Sequence, residues 1–391
     1  MLSVYIHIPF CIRKCLYCDF LSFPADESVK DAYVEALLKE IETESPKYAK
    51  YRVDTVFFGG GTPSVLKAVS IKRILEKLRS CYKLVKNPEI TIEVNPGTAD
   101  GEKLEEYRNA GINRISIGTQ SVHDEELKAL GRVHDASDFF KTFHAARNAG
   151  FDNVNVDLMS ALPGQTMEKY RDTLRAVIKL KPEHISAYSL ILEEGTPFFD
   201  MYAAGAGGGK SMLLLPSEEE ERLMYEETGK LLEEEGYYRY EISNYALRGR
   251  ECRHNTAYWK RHSYVGFGLG AASMVENVRW KNTSDIRDYM DAFLISNTDG
   301  KAGMDTKAVK EEIQHLSIDE QMEECMFLGL RLTEGISRAE FLKTFNKDME
   351  DVYGAVLSKL YEKGLIETAE RIKLTSFGRD VSNYVMAQFL F

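Results

Sequence analysis

The sequence predicts an α/β protein: a partial (βα)6 TIM-like barrel followed by a smaller C-terminal α+β domain of winged-helix-like form. Short apolar runs alternate with helical periodicity six times between Val4 and Leu190, the signature of a parallel sheet with crossover helices. Polar side chains recur near the carboxyl ends of those strands, at Glu93, Gln120 and Asp157, and that edge is where a barrel keeps its site. From about Asp305 the pattern changes to clustered helices and one short hairpin. The same alternation would also build an open doubly wound sheet, but the recurrence of polar strand ends favours the barrel.

Val4-Tyr5-Ile6-His7-Ile8 reads as the first strand and leads directly into a loop containing Cys11, Cys15 and Cys18. Val29, Tyr33, Leu37 and Ile41 then share one face of a helix spanning Asp26 to Ser45. Val53 to Phe58 is a strand ending in Gly59-Gly60-Gly61-Thr62-Pro63, with a helix over Val69 to Leu78. Glycines at such a strand end let a ligand approach bare backbone amides, although a triple glycine taken alone is equally a simple tight turn. Further strands are expected at Ile90 to Val94, Arg114 to Gly118, Val154 to Leu158 and His184 to Leu190. Helices at Lys103 to Asn109, Phe139 to Ala149 and Met167 to Lys179 connect them.

Three cysteines within eight residues suit one metal centre, either an iron–sulfur cluster or zinc, because soft thiolates must converge and be deprotonated together. An ordinary four-iron cluster or a structural zinc takes four protein ligands, so three leave one corner for an exchangeable group. A C-x-x-C redox pair would use Cys15 and Cys18 but leave Cys11 without a role. Cys81, Cys252 and Cys325 are scattered and read as free thiols.

C-x3-C-x2-C after a first strand resembles the signature of the radical S-adenosylmethionine (SAM) superfamily. The resemblance implies a [4Fe-4S] cluster on Cys11, Cys15 and Cys18, its open iron chelated by SAM, with Tyr17 at the adenine-contacting aromatic position. Gly59 to Pro63 is similar to the glycine-rich SAM-binding segment of the branch containing oxygen-independent coproporphyrinogen III dehydrogenase and the HemW heme chaperones. In that branch Tyr5, Gly60, Gly61, Thr62, Glu93, Gln120, Arg132 and Asp157 match SAM-contacting positions. The likeness runs from Ser3 to about Pro197 and sets an expected core domain of residues 1–200.

A region 201–304 is expected to hold an insert and connecting elements. Ala204 to Ser211 imitates a phosphate-binding loop but lacks the first glycine and the preceding strand, and reads as a lid. Ser217 followed by four glutamates opens a helix to Glu235. His254-Asn255-Thr256-Ala257-Tyr258-Trp259 joins a potential iron ligand to flat aromatic surface, as a porphyrin would need. Its bland reading is a capping His-Asn pair beside two core aromatics. The segment resembles the HNxxYW motif that marks HemW chaperones, which implies heme as a ligand through His254 and a heme-accepting protein as partner. Val265 to Ser273 is expected to be a tight turn near the cofactor.

Residues 305–391 form the expected winged-helix-like domain, with helices at Met322 to Leu332, Arg338 to Thr344 and Tyr353 to Lys363 and strands around Ile366 and Ile372. Such domains often bind DNA, but eight Lys or Arg face eight Asp or Glu between Gly335 and Phe391, and the whole chain carries a net charge of −11. That balance argues against nucleic acid as a partner. The absence of a leader or a membrane-length apolar run predicts a cytoplasmic protein, with peripheral membrane association and oligomeric state left open.

Two functions follow from the resemblance: a heme chaperone, or a coproporphyrinogen III dehydrogenase. Dehydrogenases of the branch resemble C-x3-C-x2-C-x-C, whereas Phe20 stands at the fourth position here. They also carry a long arm before the first cysteine, and only ten residues precede Cys11. Together with the His254 segment, these features favour the chaperone.

Overall fold

The computed structural model describes residues 1–203, 213–295 and 309–391. The barrel half consists of β1 (Leu2–Ile8), α1 (Glu27–Glu44), β2 (Arg52–Gly60), α2 (Ala68–Cys81), β3 (Lys83–Val94), α3 (Gly101–Ala110) and β4 (Arg114–Gln120). It continues through α4 (Asp124–Ala129), α5 (Ala136–Asn148), β5 (Val154–Ser160), α6 (Met167–Lys179) and β6 (His184–Ser189). β1 to β6 pair in sequence order and all in parallel, and β6 does not close back on β1. The expected partial barrel is therefore present. β1, β4 and β5 are near-continuously buried, as strands covered on both faces must be; every residue of β4 is buried.

The stretch expected to connect two domains instead extends the sheet at both edges. α7 (Pro197–Tyr202), α8 (Glu218–Glu234), β7 (Tyr238–Arg239) and β8 (Asn244–Ala246) follow β6, with β8 antiparallel to it. After α9 (Arg253–Trp259), β9 (Tyr264–Phe267) runs parallel to β1 on the opposite edge. β10 (Ala272–Val275), β11 (Val278–Asn282), α10 (Ile286–Leu294) and β12 (Lys310–His315) complete that side. Val265 to Ser273 is thus not a tight turn but two strands around a glycine corner. Gly266 has no room for a side chain, since a Cβ there would lie 2.4 Å from the Ala272 carbonyl oxygen. A boundary at 305 would also detach β12, whose polar sequence gives no strand signal but which pairs with β11. The glycine-rich stretch read as a lid, Ala204 to Ser211, lies outside the described residues.

α8 begins as expected: Ser217 and Glu220 form a reciprocal capping box, and four glutamates fill its first turn. The remaining elements are α11 (Ile318–Gly329), β13 (Ile336–Ser337), α12 (Arg338–Phe345), α13 (Met349–Glu362), β14 (Ile366–Thr368), β15 (Arg371–Leu374), α14 (Ser376–Asp380) and α15 (Ser382–Ala387). β13, β15 and β14 form a small antiparallel sheet on which the helices pack, the winged-helix-like arrangement expected. Met322, Phe341, Tyr353 and Ile372 belong to this second hydrophobic core, separate from that of the barrel. Buried Glu324 ties the two halves by pairing with Arg261 at 2.9 Å and Arg279 at 2.5 Å. Among the described residues no helix is long and apolar enough to cross a membrane.

Candidate functional site

The carboxyl ends of β1 to β6 surround a pocket lined by Cys11, Cys15 and Cys18. The cysteine loop is fixed at its base, where the Cys11 N–H donates to the Phe23 carbonyl at 3.1 Å and Phe23 returns a bond to Pro9 at 2.9 Å. Its far side is held by the chain after α4: Leu16 N–H donates to Leu130 O at 3.1 Å, and Arg13 donates to the carbonyls of Gly131 and Arg132. All three thiols are free and partly exposed. Cys11 Sγ lies 3.4 Å from Thr62 Oγ1, and Arg132 Nη1 approaches Cys15 Sγ at 3.6 Å. Among the described residues no three His, Cys, Asp or Glu side chains are drawn together as a single-ion site.

The glycine segment approaches the cysteines because nothing larger fits. Gly60 has φ +112°, and a Cβ on it would come within 2.5 Å of the His7 ring. A Cβ on Gly61 would meet Phe10 O at 2.7 Å and Cys11 Sγ at 3.0 Å. Asn95 joins this segment to the far wall, donating to Thr62 Oγ1 at 2.8 Å and accepting from Arg132 Nη2 at 2.8 Å. Arg132 also donates to the Gly118 carbonyl.

Glu93, Gln120 and Asp157 all line the pocket, as their strand-end positions predict, together with Tyr17, Gly60, Gly61, Thr62 and Arg132. Register explains the grouping: Glu93 lies opposite Ser116, and Gly118 opposite Asp157. A register shift between Gly118 and Gln120 leaves Gln120 at φ +68° and places its side-chain Oε1 to accept from Tyr188 Oη at 3.2 Å. Tyr5 is the exception. It lies beneath Gly59 rather than on the pocket wall, its hydroxyl 3.1 Å from His7 Nδ1.

Burial, reinforced by the charge of Asp157, pushes the Glu93 carboxyl up to about 8. Asp157 is likewise raised by burial, although Asn155 and Ser116 donate to it. The pocket therefore carries two acidic groups short of positive charge, with Arg132 on its opposite wall. Such an arrangement receives a ligand that brings its own cation to the acids and presents an anionic end to the guanidinium. Asn95, Ser116 and Tyr188 belong to this wall but were not legible as site residues. Asn95 stands two positions after Glu93 in IEVNP, and Tyr188 at the end of β6, which were the available signals.

His254 is elsewhere. α9 packs against the amino-terminal half of β2, and its buried imidazole is held on both nitrogens, by Thr55 Oγ1 at 2.8 Å and Tyr258 Oη at 3.0 Å. The ring stacks on Phe57 with centroids 5.1 Å apart, and burial drops its pKa to about 3. The backbone N–H groups of Arg253 and His254 donate to Glu89 at 3.0 Å each, anchoring the start of the helix on β3. An iron ligand needs a free lone pair and an approach, and this ring has neither. In this structure His254, expected as a heme ligand, packs against β2 and helps anchor α9 on β3.

Comparison with known proteins places these features. A family model described as the Radical SAM superfamily matches residues 5–177, and one described as the HemN C-terminal domain matches 316–381. The heme chaperone HemW of Bacillus subtilis (strain 168) is 38% identical over 392 residues, covering 100% of this chain and 99% of that protein. HemW of Escherichia coli (strain K12) is 34% identical over 398 residues, covering 100% and 98% respectively. The chain belongs to the HemW family. The solved structure of coproporphyrinogen III oxidase (HemN) from Escherichia coli, a radical SAM enzyme, superposes with TM-score 0.83 at 25% identity, covering 99% of this chain and 89% of that one. The fold is thus common to HemW proteins and an oxidase, and only residues within it can separate the two functions. In this HemW-family chain, all the pocket residues named above except Tyr188 fall inside the radical SAM match.

Proposed function

We propose that this protein is a heme chaperone that carries a [4Fe-4S] cluster on Cys11, Cys15 and Cys18, binds SAM at the barrel mouth, and passes heme to an acceptor protein. The observation that carries the reading is the end-to-end similarity to proteins named heme chaperone HemW, beside a pocket lined by the three cysteines. When bound, such a cluster supplies one-electron chemistry and an iron corner open to an exchangeable ligand.

The chain's own residues divide the binding work. Gly60, Gly61 and Thr62 leave backbone room beside Cys11 for the amino acid end of SAM. Arg132 faces a carboxylate, while Glu93 and Asp157 accept from hydroxyl or amino donors and offset the sulfonium charge. Gln120 and Tyr17 complete the wall. Ligand charge would draw the proton off Glu93, so the acid that is held neutral in the free pocket becomes an acceptor in the filled one.

Phe20 favours the chaperone over the oxidase reading. It stands 64% exposed on the pocket rim, where the dehydrogenases of the branch resemble a fourth cysteine. The test is a heme titration of the anaerobically reconstituted full chain: a saturable Soret band at about one heme per chain is expected, and its absence removes the chaperone reading.

A further inference from the structure

Between the last turn of α9 and the C-terminal domain lies a second cavity, of about 530 Å³, within the range of small-molecule sites. One wall is Trp259 with the chain that leaves α9; the other is Ile336 of β13 and Phe341 and Phe345 of α12. One wall is carried by α9, which packs on β2 of the barrel sheet, and the other belongs to the C-terminal core, so the cavity forms where the C-terminal domain meets α9.

The Arg331 guanidinium covers the Trp259 ring at 4.2 Å from its centroid, yet the indole Nε1–H is buried without an acceptor among the described residues. Buried donors are nearly always paired, and one that is not, on the wall of a cavity, marks a place for a ligand group. The lining is also cationic: Lys260, Arg261, Lys343 and Arg371 face only Glu334 and Glu340. Arg261 is engaged by Glu324, and Lys260 by Glu334 at 2.8 Å, while Lys343 stands exposed at the rim.

His262 is on the same wall. Arg261 adopts φ +52° and ends the helix, and the His262 N–H then donates to Ala257 O at 2.9 Å, fixing the position from which the imidazole lines the cavity. Partial burial holds that ring below its ordinary pKa, so it is neutral at pH 7. Cys325, the other soft group on the lining, is pushed up to about 11 by burial and stays a thiol.

Resting on the heme-binding reading above, we propose that heme docks in this cleft with His262 as its iron ligand, the apolar walls facing the macrocycle and the rim cations facing its propionates. A flat apolar dianion in search of an imidazole matches aromatic walls, a net positive rim and a neutral histidine together. The site joins the end of the HNTAYW segment to the C-terminal domain, giving that segment a link to heme through Trp259 and the turn after it rather than through His254.

Hemin and iron-free protoporphyrin IX, titrated separately into the full chain, test the proposal. His262→Ala should shift the Soret band and weaken hemin binding at least about tenfold, while leaving protoporphyrin affinity unchanged because that ring has no iron to ligate. Thr344 lines the cavity from an exposed position, so Thr344→Trp fills it without disturbing a core and should weaken both porphyrins. With Trp280→Phe removing the other tryptophan, hemin should quench the remaining Trp259 fluorescence. Unchanged hemin spectra in His262→Ala overturn the ligand, and unchanged affinity for both porphyrins in Thr344→Trp overturns the site. A wild-type chain that binds no hemin defeats the functional reading instead.

Discussion

The barrel mouth and the α9 segment both present groups able to bind a metal, yet only one of them leaves those groups available. At the mouth, three thiols stay free and partly exposed, and two acids lack enough positive charge. At α9, His254 has a partner on each nitrogen and Phe57 against its face. A residue type in a suggestive motif is therefore not yet a ligand: its lone pairs must be unspent and its surroundings open. The strand ends supply such incomplete environments because the parallel sheet stops there and its backbone and side chains point into solvent.

The sharpest way to break this contrast is at the cysteines. Cys11→Ser, Cys15→Ser or Cys18→Ser should each remove the visible cluster absorbance after anaerobic reconstitution, whereas Cys81→Ser, Cys252→Ser and Cys325→Ser should retain it. Loss of the cluster in Cys252→Ser would mean that a fourth thiolate takes part.

His254→Ala should act on stability instead. It deletes a stacked buried ring and leaves Thr55 and Tyr258 without their shared partner, which costs about 2 to 4 kcal/mol in denaturant unfolding. The variant that remains folded should keep a wild-type Soret band with hemin. A shifted band there would return His254 to the heme site.

At the mouth, Glu93→Ala should cost about 1.5 to 3 kcal/mol of SAM binding, roughly ten- to a hundredfold in affinity by calorimetry. Unchanged binding would show that the acid wall does not meet the ligand.

A smaller effect concerns pH. The carboxyl of Glu93 is raised to about 8, and that of Glu40, buried against Tyr289 and Asn282, to about 7. Both folded-state values exceed the unfolded one, so the folded chain holds protons that the unfolded chain has released. That contribution is fully present below about pH 4.5 and is lost as pH rises through about 7 to 8. Above the range in which the buried histidines charge on unfolding, the melting temperature of the ligand-free chain should therefore fall toward pH 8, and Glu93→Gln should flatten part of that slope. An equally steep slope in Glu93→Gln would place the titration elsewhere.

How much of this was legible depended on whether the signal was local. The cysteine spacing, the glycines after β2 and the acids at the ends of β3 and β5 lie in short stretches whose chemistry is fixed by neighbours in sequence, and all reach the pocket. Ser116 and Tyr188 become wall residues only through strand register, which no single stretch records. β9 joins β1 across most of the chain, and its apolar glycine-rich sequence is equally a turn until a parallel partner is supplied. The depth of His254 was invisible for the same reason, since Thr55, Phe57 and Glu89 reach it from distant strands. The second cavity needed two domains to exist at all.

The most direct measurement of the central claim is coproporphyrinogen III turnover by the reconstituted wild-type chain with SAM and reductant under anaerobic conditions, run on the same sample that gives a saturable Soret band with hemin. Heme binding without formation of protoporphyrinogen is the expected result. Steady production of protoporphyrinogen would contradict the chaperone reading and make the chain an oxidase with Phe20 in place of the fourth cysteine.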